Sequence, residues 1–292
     1  MLKPSSHPPF NPKVFLLLGV ISLGFGAILI RYSQAPSLAI AFYRLFFATL
    51  IMGAFALANV SALAKIQRRD LVVLGLNGLV LALHFALWIS SLKLTSVAAS
   101  VILVDTSPFF AIIFAYIFLK EGVDRRFLLG LLMCFVGTIL ILGSDLGLGQ
   151  NFYGDILSIL GGILAGFYFF VGRKMRSRID FVLYVTCVYG LSAFFLLLLM
   201  VAYHIPLVGY SSVDYLIFLL LAAGPSCLGH NSYNYSLKYM KASSVSATVY
   251  GEALGSTILA AFLLGETPTA VVLLGAVLIM VGMYFAVIKQ EQ

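Results

Sequence analysis

Residues 242–266 read ASSVSATVYGEALGSTILAAFLLGE. The stretch is long and apolar enough to cross a bilayer, which takes about 20 residues of helix. It nevertheless carries a carboxylate, Glu252, near its middle. A charge at that depth costs roughly 2.5–3.5 kcal/mol on insertion scales, so such a residue faces a bundle interior, a partner or water. Gly251 and Gly255 lie to either side of it, at a spacing that lets another helix approach closely. The stretch has a twin at residues 95–121, TSVAASVILVDTSPFFAIIFAYIFLKE. A shift of 145 residues carries Ser91-Leu92-Lys93 onto Ser236-Leu237-Lys238, Glu121 onto Glu266, Gly130 onto Gly275 and Gly137 onto Gly282. Ser107, immediately before Pro108, falls on Glu252.

The rest of the chain has the same apolar character. Of its 292 residues, 62% are hydrophobic and 10% charged, against roughly 25% charged in a soluble domain. Ten apolar runs suit the membrane core, near 14–31, 36–58, 70–92, 95–119, 126–143, 153–172, 181–203, 214–236, 242–264 and 268–288. The first reads as a retained helix, since no small-residue cleavage site follows it and more spans do. Fifteen of the 18 Lys and Arg residues fall at the termini and in the even-numbered gaps; Arg31 and Lys93 lie on the other side and Arg44 within a span. This bias places both termini in the cytoplasm. It reads as a topology signal, and nucleic acid is not an expected partner. Cys134, Cys187 and Cys227 lie in apolar runs without CxxC spacing, so neither a disulfide framework nor a metal site is expected.

The expected fold is therefore an all-α polytopic membrane protein: ten transmembrane helices as two inverted five-helix repeats, N-in and C-in. A cytoplasmic segment at 1–13 precedes repeats at 14–143 and 153–288. An odd number of spans per half makes the second half enter from the opposite side. Inverted repeats place a site near the midplane, and rocking of one body against another gives alternating access. The near-pure Leu, Val, Ile, Gly and Met runs of the fifth and tenth spans read as scaffold. Gly162 and Gly166 read as packing positions.

Polar residues inside the spans are few. Arg44 and Asp105 both lie ~12–15 Å deep at about 1.5 Å per residue, which predicts an Arg44–Asp105 pair, serving either as a structural ion pair or as a substrate contact. His84 and Trp88 share a helix face with Asn77. Around the repeat counterpart of Trp88, which is Tyr233, stand His230, Asn231 and Asn234. Rings for packing with amides and imidazoles for hydrogen bonds suit a substrate cavity. Ser107 joins them as the counterpart of Glu252. The depths of Glu252 and His230 overlap, so the two could meet. Burial disfavours a charged carboxyl unless a cation is near, which suits Glu252 to proton coupling and equally to a neutral hydrogen-bonded clamp. Tyr250, with Ser243, Ser246 and Thr257, forms a second stripe on the same helix, about 200° from Glu252. Either face could line the path.

Over nearly its whole length the sequence resembles the EamA-like branch of the drug/metabolite transporter superfamily. The resemblance rests on the two half-endings, SPFFAIIFAYIFLKEG with GLLMCFVGTILIL and GEALGSTILAAFLLGE with GAVLIMVGMYFAV, and on Ala-Phe-Tyr-Arg-Leu at 41–45. Ala253 departs from the family's pattern, where Pro commonly follows the Glu. The first copy keeps Pro108 and replaces the acid with Ser107. The resemblance implies a bacterial inner-membrane carrier, often an exporter of amino acids or other small metabolites, with relatives that handle purines and drugs. Glu121 and Glu266 are family-pattern residues at membrane ends, expected as loop anchors or gate elements. No cofactor is implied. The expected partners are a small-molecule substrate and the lipid bilayer, and a monomer suffices for transport even if the chain associates with itself.

Other classes fit less well. Aspartyl intramembrane proteolysis needs two facing Asp residues. There is no HExxH for zinc proteolysis and no Walker A for ATP drive. A channel would need repeated polar rings, and a nucleotide-sugar carrier would need more cations within its spans than Arg44.

Overall fold

The structure is a computed structural model. It describes residues 11–57, 67–120, 125–144, 149–175, 179–236 and 249–285, without the side chains of Leu119, Arg173, Lys174, Asn234, Val249, Tyr250 and Met283. Among the described residues all regular structure is helical: α1 (Pro12–Tyr32), α2 (Ser37–Ala56), α3 (Arg68–Ser91), α4 (Val97–Val104), α5 (Ser107–Leu119), α6 (Arg125–Ser144), α7 (Gln150–Met175), α8 (Phe181–Ala202), α9 (Ser212–Leu221), α10 (Asn231–Ser236), α11 (Val249–Leu264) and α12 (Ala270–Met283). A π-helical segment, Ala222–His230, joins α9 to α10. Eight stretches are long and apolar enough to cross a membrane, and the shorter apolar helices Gly251–Leu264 and Ala270–Gly282 accompany them. Leu128, Leu132, Phe135 and Ile139 of α6 point outward, whereas Arg44, Asn77, His84 and Asp155 are buried. That is the reverse of a water-soluble surface and the arrangement lipid requires.

Two of the apolar runs are not single α-helices. Run 95–119 breaks after Val104, because Pro108 has no N–H for the Val104 carbonyl and its ring crowds that carbonyl. The chain turns through Asp105 and Thr106 and restarts at Ser107. The glycines of α7 lie against the break. A Cβ on Gly162 would stand 3.1 Å from Val104 O, and one on Gly166 would stand 2.7 Å from Ser107 O. Run 214–236 contains Pro225, around which the helix widens to π geometry. Such wide turns recur at functional sites.

The halves interlock about a pseudo-two-fold axis. The Cys134 thiol of α6 donates to Ile279 O of α12 at 3.5 Å, 145 residues away, so each is the other's repeat counterpart. Beside them, a Cβ on Gly137 would lie 2.6 Å from Gly275 O, and one on Gly282 would lie 2.6 Å from Gly130 O. These contacts exchange when the halves are exchanged, and the two helices run antiparallel. The α2–α8 pair repeats the relation. Gly53 faces the Thr186 methyl and Gly190 the Thr49 methyl. Each threonine hydroxyl is tied back into its own helix, Thr49 to Leu45 O at 2.7 Å and Thr186 to Val182 O at 2.8 Å. A shift of 137 residues carries Thr49 and Gly53 onto Thr186 and Gly190.

Around these axial pairs sit two bundles, each borrowing one helix from the other half. In one, α3, α4 and α5 pack on α7; in the other, the π segment, α10 and α11 pack on α1. Gly24 of α1 lies over Gly255 and Ser256, as Gly166 of α7 lies over Phe110 and Ala111. The spacing around Glu252 thus works partly as expected. Gly251 meets Val20, but Gly255 has open space where a Cβ would project.

The α6–α12 seam admits no side chain at its glycines. Gly137→Val is expected to destabilise the fold by about 1–3 kcal/mol through overpacking against backbone. Gly143→Val, on the same helix but with nothing within 4 Å, should change little. Thermal unfolding of the purified protein in detergent compares the two.

Candidate functional site

Arg44 is wholly buried, and the two bundles converge on it. Its guanidinium carbon lies 4.2 Å from the centre of the Phe85 ring and 5.8 Å from that of Trp88. Its Nε donates to Ser226 Oγ at 2.7 Å. Ring faces attract a cation more strongly once water is excluded, so Arg44 bridges the aromatic face of α3 and the π segment. Pro225 sets that segment's geometry, and Ser226 follows it directly. The Tyr189 hydroxyl of α8 donates to Ser226 O at 3.5 Å.

His84 and Trp88 stack 6.1 Å apart at an interplanar angle of 7°. His84 Nδ1 lies 2.9 Å from Gly161 O. A carbonyl only accepts, so Nδ1 carries the proton, and in the neutral ring Nε2 is left as an acceptor. His230 of the opposite bundle stands edge-on to Phe85 at 6.1 Å. Asn77 sits farther along the His84 face and serves packing. Its amide donates to the Tyr184 hydroxyl at 2.7 Å and reaches Tyr168 O at 3.5 Å, tying α3 to α7 and α8.

Glu252 is buried on α11 together with Ala253, Ser256 and Ala260, whereas Leu254 and Ile258 face outward. The Tyr233 side chain and the Arg44 charge both act on its carboxyl. Asp105, at the break between α4 and α5, interacts electrostatically with Glu252. Its Oδ2 is enclosed and has no hydrogen-bond partner among the described residues.

The expected Arg44–Asp105 ion pair is not formed. The one ion pair between described residues is Arg31–Glu266. Equal depth put Arg44 and Asp105 at one level, but α2 packs on α8 and the π segment, which turns the guanidinium toward Ser226. Glu252 meets Tyr233, the counterpart of Trp88, so both members of that repeat pair stand in the cluster. Asn231 donates from Nδ2 to the Met52 sulfur at 3.3 Å, and its Oδ1 is unpartnered among the described residues. Ser107 is buried at the start of α5. The side chains of Asn234 and Tyr250 lie outside the described residues, as do Ser243, Ser246 and Glu121. Thr257 bonds back to Ala253 O at 2.8 Å. Three contributors escaped the sequence reading: Phe85, Tyr189 and Ser226. A proline inside an apolar span was the available signal for the last.

The arrangement holds one guanidinium and two carboxyls between aromatic walls. Arg44 Nη1, Trp88 Nε1, Asn231 Oδ1 and Asp105 Oδ2 are buried without hydrogen-bond partners among the described residues. Donors and acceptors of this kind can grip both ends of a small polar molecule whose apolar part lies against rings.

A sequence model of the EamA-like transporter family matches residues 13–143 and 152–288. An uncharacterised transporter of Archaeoglobus fulgidus is 27% identical over 97% of this chain and 100% of its own. A second from the same organism is 25% identical over 93% of this chain and 94% of its own. A protein of known crystal structure, 18% identical, superposes with a TM-score of 0.67 over 94% of this chain and 96% of that one, a likeness of fold alone. With both halves matched, the chain belongs to the EamA-like transporter family and is a multi-pass transporter embedded in the membrane.

Proposed function

We propose that this transporter is a secondary carrier that exports small amphipathic metabolites, such as amino acids, by alternating access. The observation that carries this reading is the buried cluster of Arg44, Glu252 and Asp105 between two bundles related by the repeat. Charges held that deep in a membrane protein mark substrate or ion pathways. In this reading ten spans cross the plasma membrane, arranged as repeats at 14–143 and 153–288 with both termini cytoplasmic. His84, Trp88, Ser107, His230, Asn231, Tyr233, Asn234 and Tyr250 bind substrate, while Arg44, Asp105 and Glu252 couple or gate. A monomer suffices. The export direction follows the family resemblance.

The test is counterflow. Protein in liposomes loaded with an unlabelled solute is expected to accumulate the labelled form of that solute transiently, with amino acids, purines and sugars screened side by side. Saturable counterflow with an amino acid supports the reading. Flux that does not saturate would make the protein a channel. Counterflow with purines or sugars alone would keep the carrier and replace the substrate class.

A further inference from the structure

A second set of polar contacts joins the bundles away from this cluster, at the end of the molecule where α1, α3 and α11 finish. Arg31 Nη1 donates to Leu92 O at 2.7 Å, and Arg31 Nη2 pairs with Glu266 Oε1. The other Glu266 oxygen accepts from Val97 N, the first residue of α4, at 2.9 Å. The Lys93 ammonium donates to Ser33 O. Three of these bonds cross from the α3–α4 corner, residues 91–97, to the corners that end α1 and α11. The fourth, Arg31–Glu266, builds the seat on which the corner rests.

The charges match the helix ends they meet. Leu92 O lies at the negative C-terminal end of α3 and faces a guanidinium; Val97 N lies at the positive N-terminal end of α4 and faces a carboxylate. Burial, and then the neighbouring Arg31 charge, hold the Lys93 ammonium below its ordinary range. Two cations therefore stay together here because Glu266 and the carbonyls offset them. The corner belongs to the α7 body. Thr95 Oγ1 donates to Asp155 at 2.8 Å, and Ser158 Oγ donates to Ser100 O at 2.5 Å. The Arg31 and Glu266 side chains are 29% and 21% exposed, so water can replace each bond as it breaks.

We infer that the Arg31–Glu266 pair is a gate latch, which seats the α3–α4 corner, holds the path shut at this end, and releases the corner when the site opens there. The inference rests on the carrier reading and adds a gate to it. The shift of 145 residues that carries Glu121 onto Glu266 also carries Arg31 onto Arg176, so the same two residue types recur in the other half of the sequence; Arg176 and Glu121 lie outside the described residues.

Cys227 gives a readout that needs no substrate. It adjoins Ser226, is partly buried, and its sulfur lies 4.0 Å from Ala48 O. With Cys134 and Cys187 changed to Ser, a membrane-impermeant maleimide is applied to the face that carries Arg31. Labelling of Cys227 is expected to run about tenfold faster in Glu266→Gln and in Arg31→Gln than in the parent. A rescue separates gating from loosened folding. In Glu266→Gln with Ser33→Cys and Lys93→Cys, a reducible thiol cross-linker should return labelling to the parent rate, and reductant should restore the fast rate. Unchanged labelling in both single variants overturns the latch, and so does fast labelling that the cross-link fails to slow. If counterflow fails for every solute while labelling behaves as expected, the carrier reading falls and the gate stands.

Discussion

Arg44→Gln is expected to abolish counterflow and to lower the unfolding temperature of the purified protein. The guanidinium is the one described cation that is wholly buried. It satisfies the Ser226 hydroxyl at 2.7 Å, covers the Phe85 face at 4.2 Å and acts on Glu252. Removing one member of a buried charge set leaves the other uncompensated, at about 3–5 kcal/mol. That corresponds to a loss of the order of 10 °C in a chain of this size. Arg44→Lys separates charge from shape. It keeps the cation but loses the planar fork that donates sideways to Ser226 while lying flat on a ring. Arg44→Lys should therefore unfold nearer the wild-type temperature and still lose transport about a hundredfold, since two bonds' worth of binding, roughly 2.8 kcal/mol, equals that factor. Ser226→Ala should fall between them, with about 1.5–3 kcal/mol of a charged hydrogen bond removed. Wild-type counterflow in Arg44→Gln would remove Arg44 from the site.

The 145-residue spacing was legible because glycines mark it, and those glycines are contacts in the fold. Gly130, Gly137, Gly275 and Gly282 are where α6 and α12 touch backbone to backbone. The Thr49–Gly53 and Thr186–Gly190 pairs carry the same symmetry but escaped a comparison made at 145 residues. Their shift is 137, because α8 continues to Ala202 well beyond Gly190 whereas α2 ends at Ala56, soon after Gly53. That these polar residues are buried was legible in the sequence, and their pairing was not. Helix depth follows from counting residues at a fixed rise. Which residues meet at a given depth depends on how each helix is rotated and which neighbour it packs on, and that is decided by contacts distant in sequence. Arg44 turned to Ser226 and away from Asp105 for this reason. The π segment was equally hidden. Pro225 announces that a helical bond is lost, but kink, break and widened turn are all consistent with it.

Glu252→Gln is the variant expected to split exchange from drive. The groups that face Glu252 are Tyr233 from α10, Arg44 from α2 and Asp105 from the α4–α5 break. One cation therefore stands among two carboxyls, and a proton on either carboxyl balances it. In the carrier reading, the step that loads substrate unloads that proton, so a pH gradient does work on the substrate. Glutamine keeps the volume and leaves a carbonyl facing Tyr233, but it carries no titratable proton. Counterflow, which needs no net proton movement, should survive within a fewfold of wild type. Uptake driven by a pH gradient should fall at least tenfold, the factor that about 1.4 kcal/mol of lost coupling represents. Asp105→Asn separates the roles of the two carboxyls. If it reproduces the Glu252→Gln split, the pair shares the proton; if drive is untouched, Glu252 alone carries it. A neutral clamp makes the opposite forecast for Glu252→Gln, a fall in thermal stability with the pH response intact. Drive and counterflow both at wild-type levels, with no thermal shift, would leave Glu252 neither role.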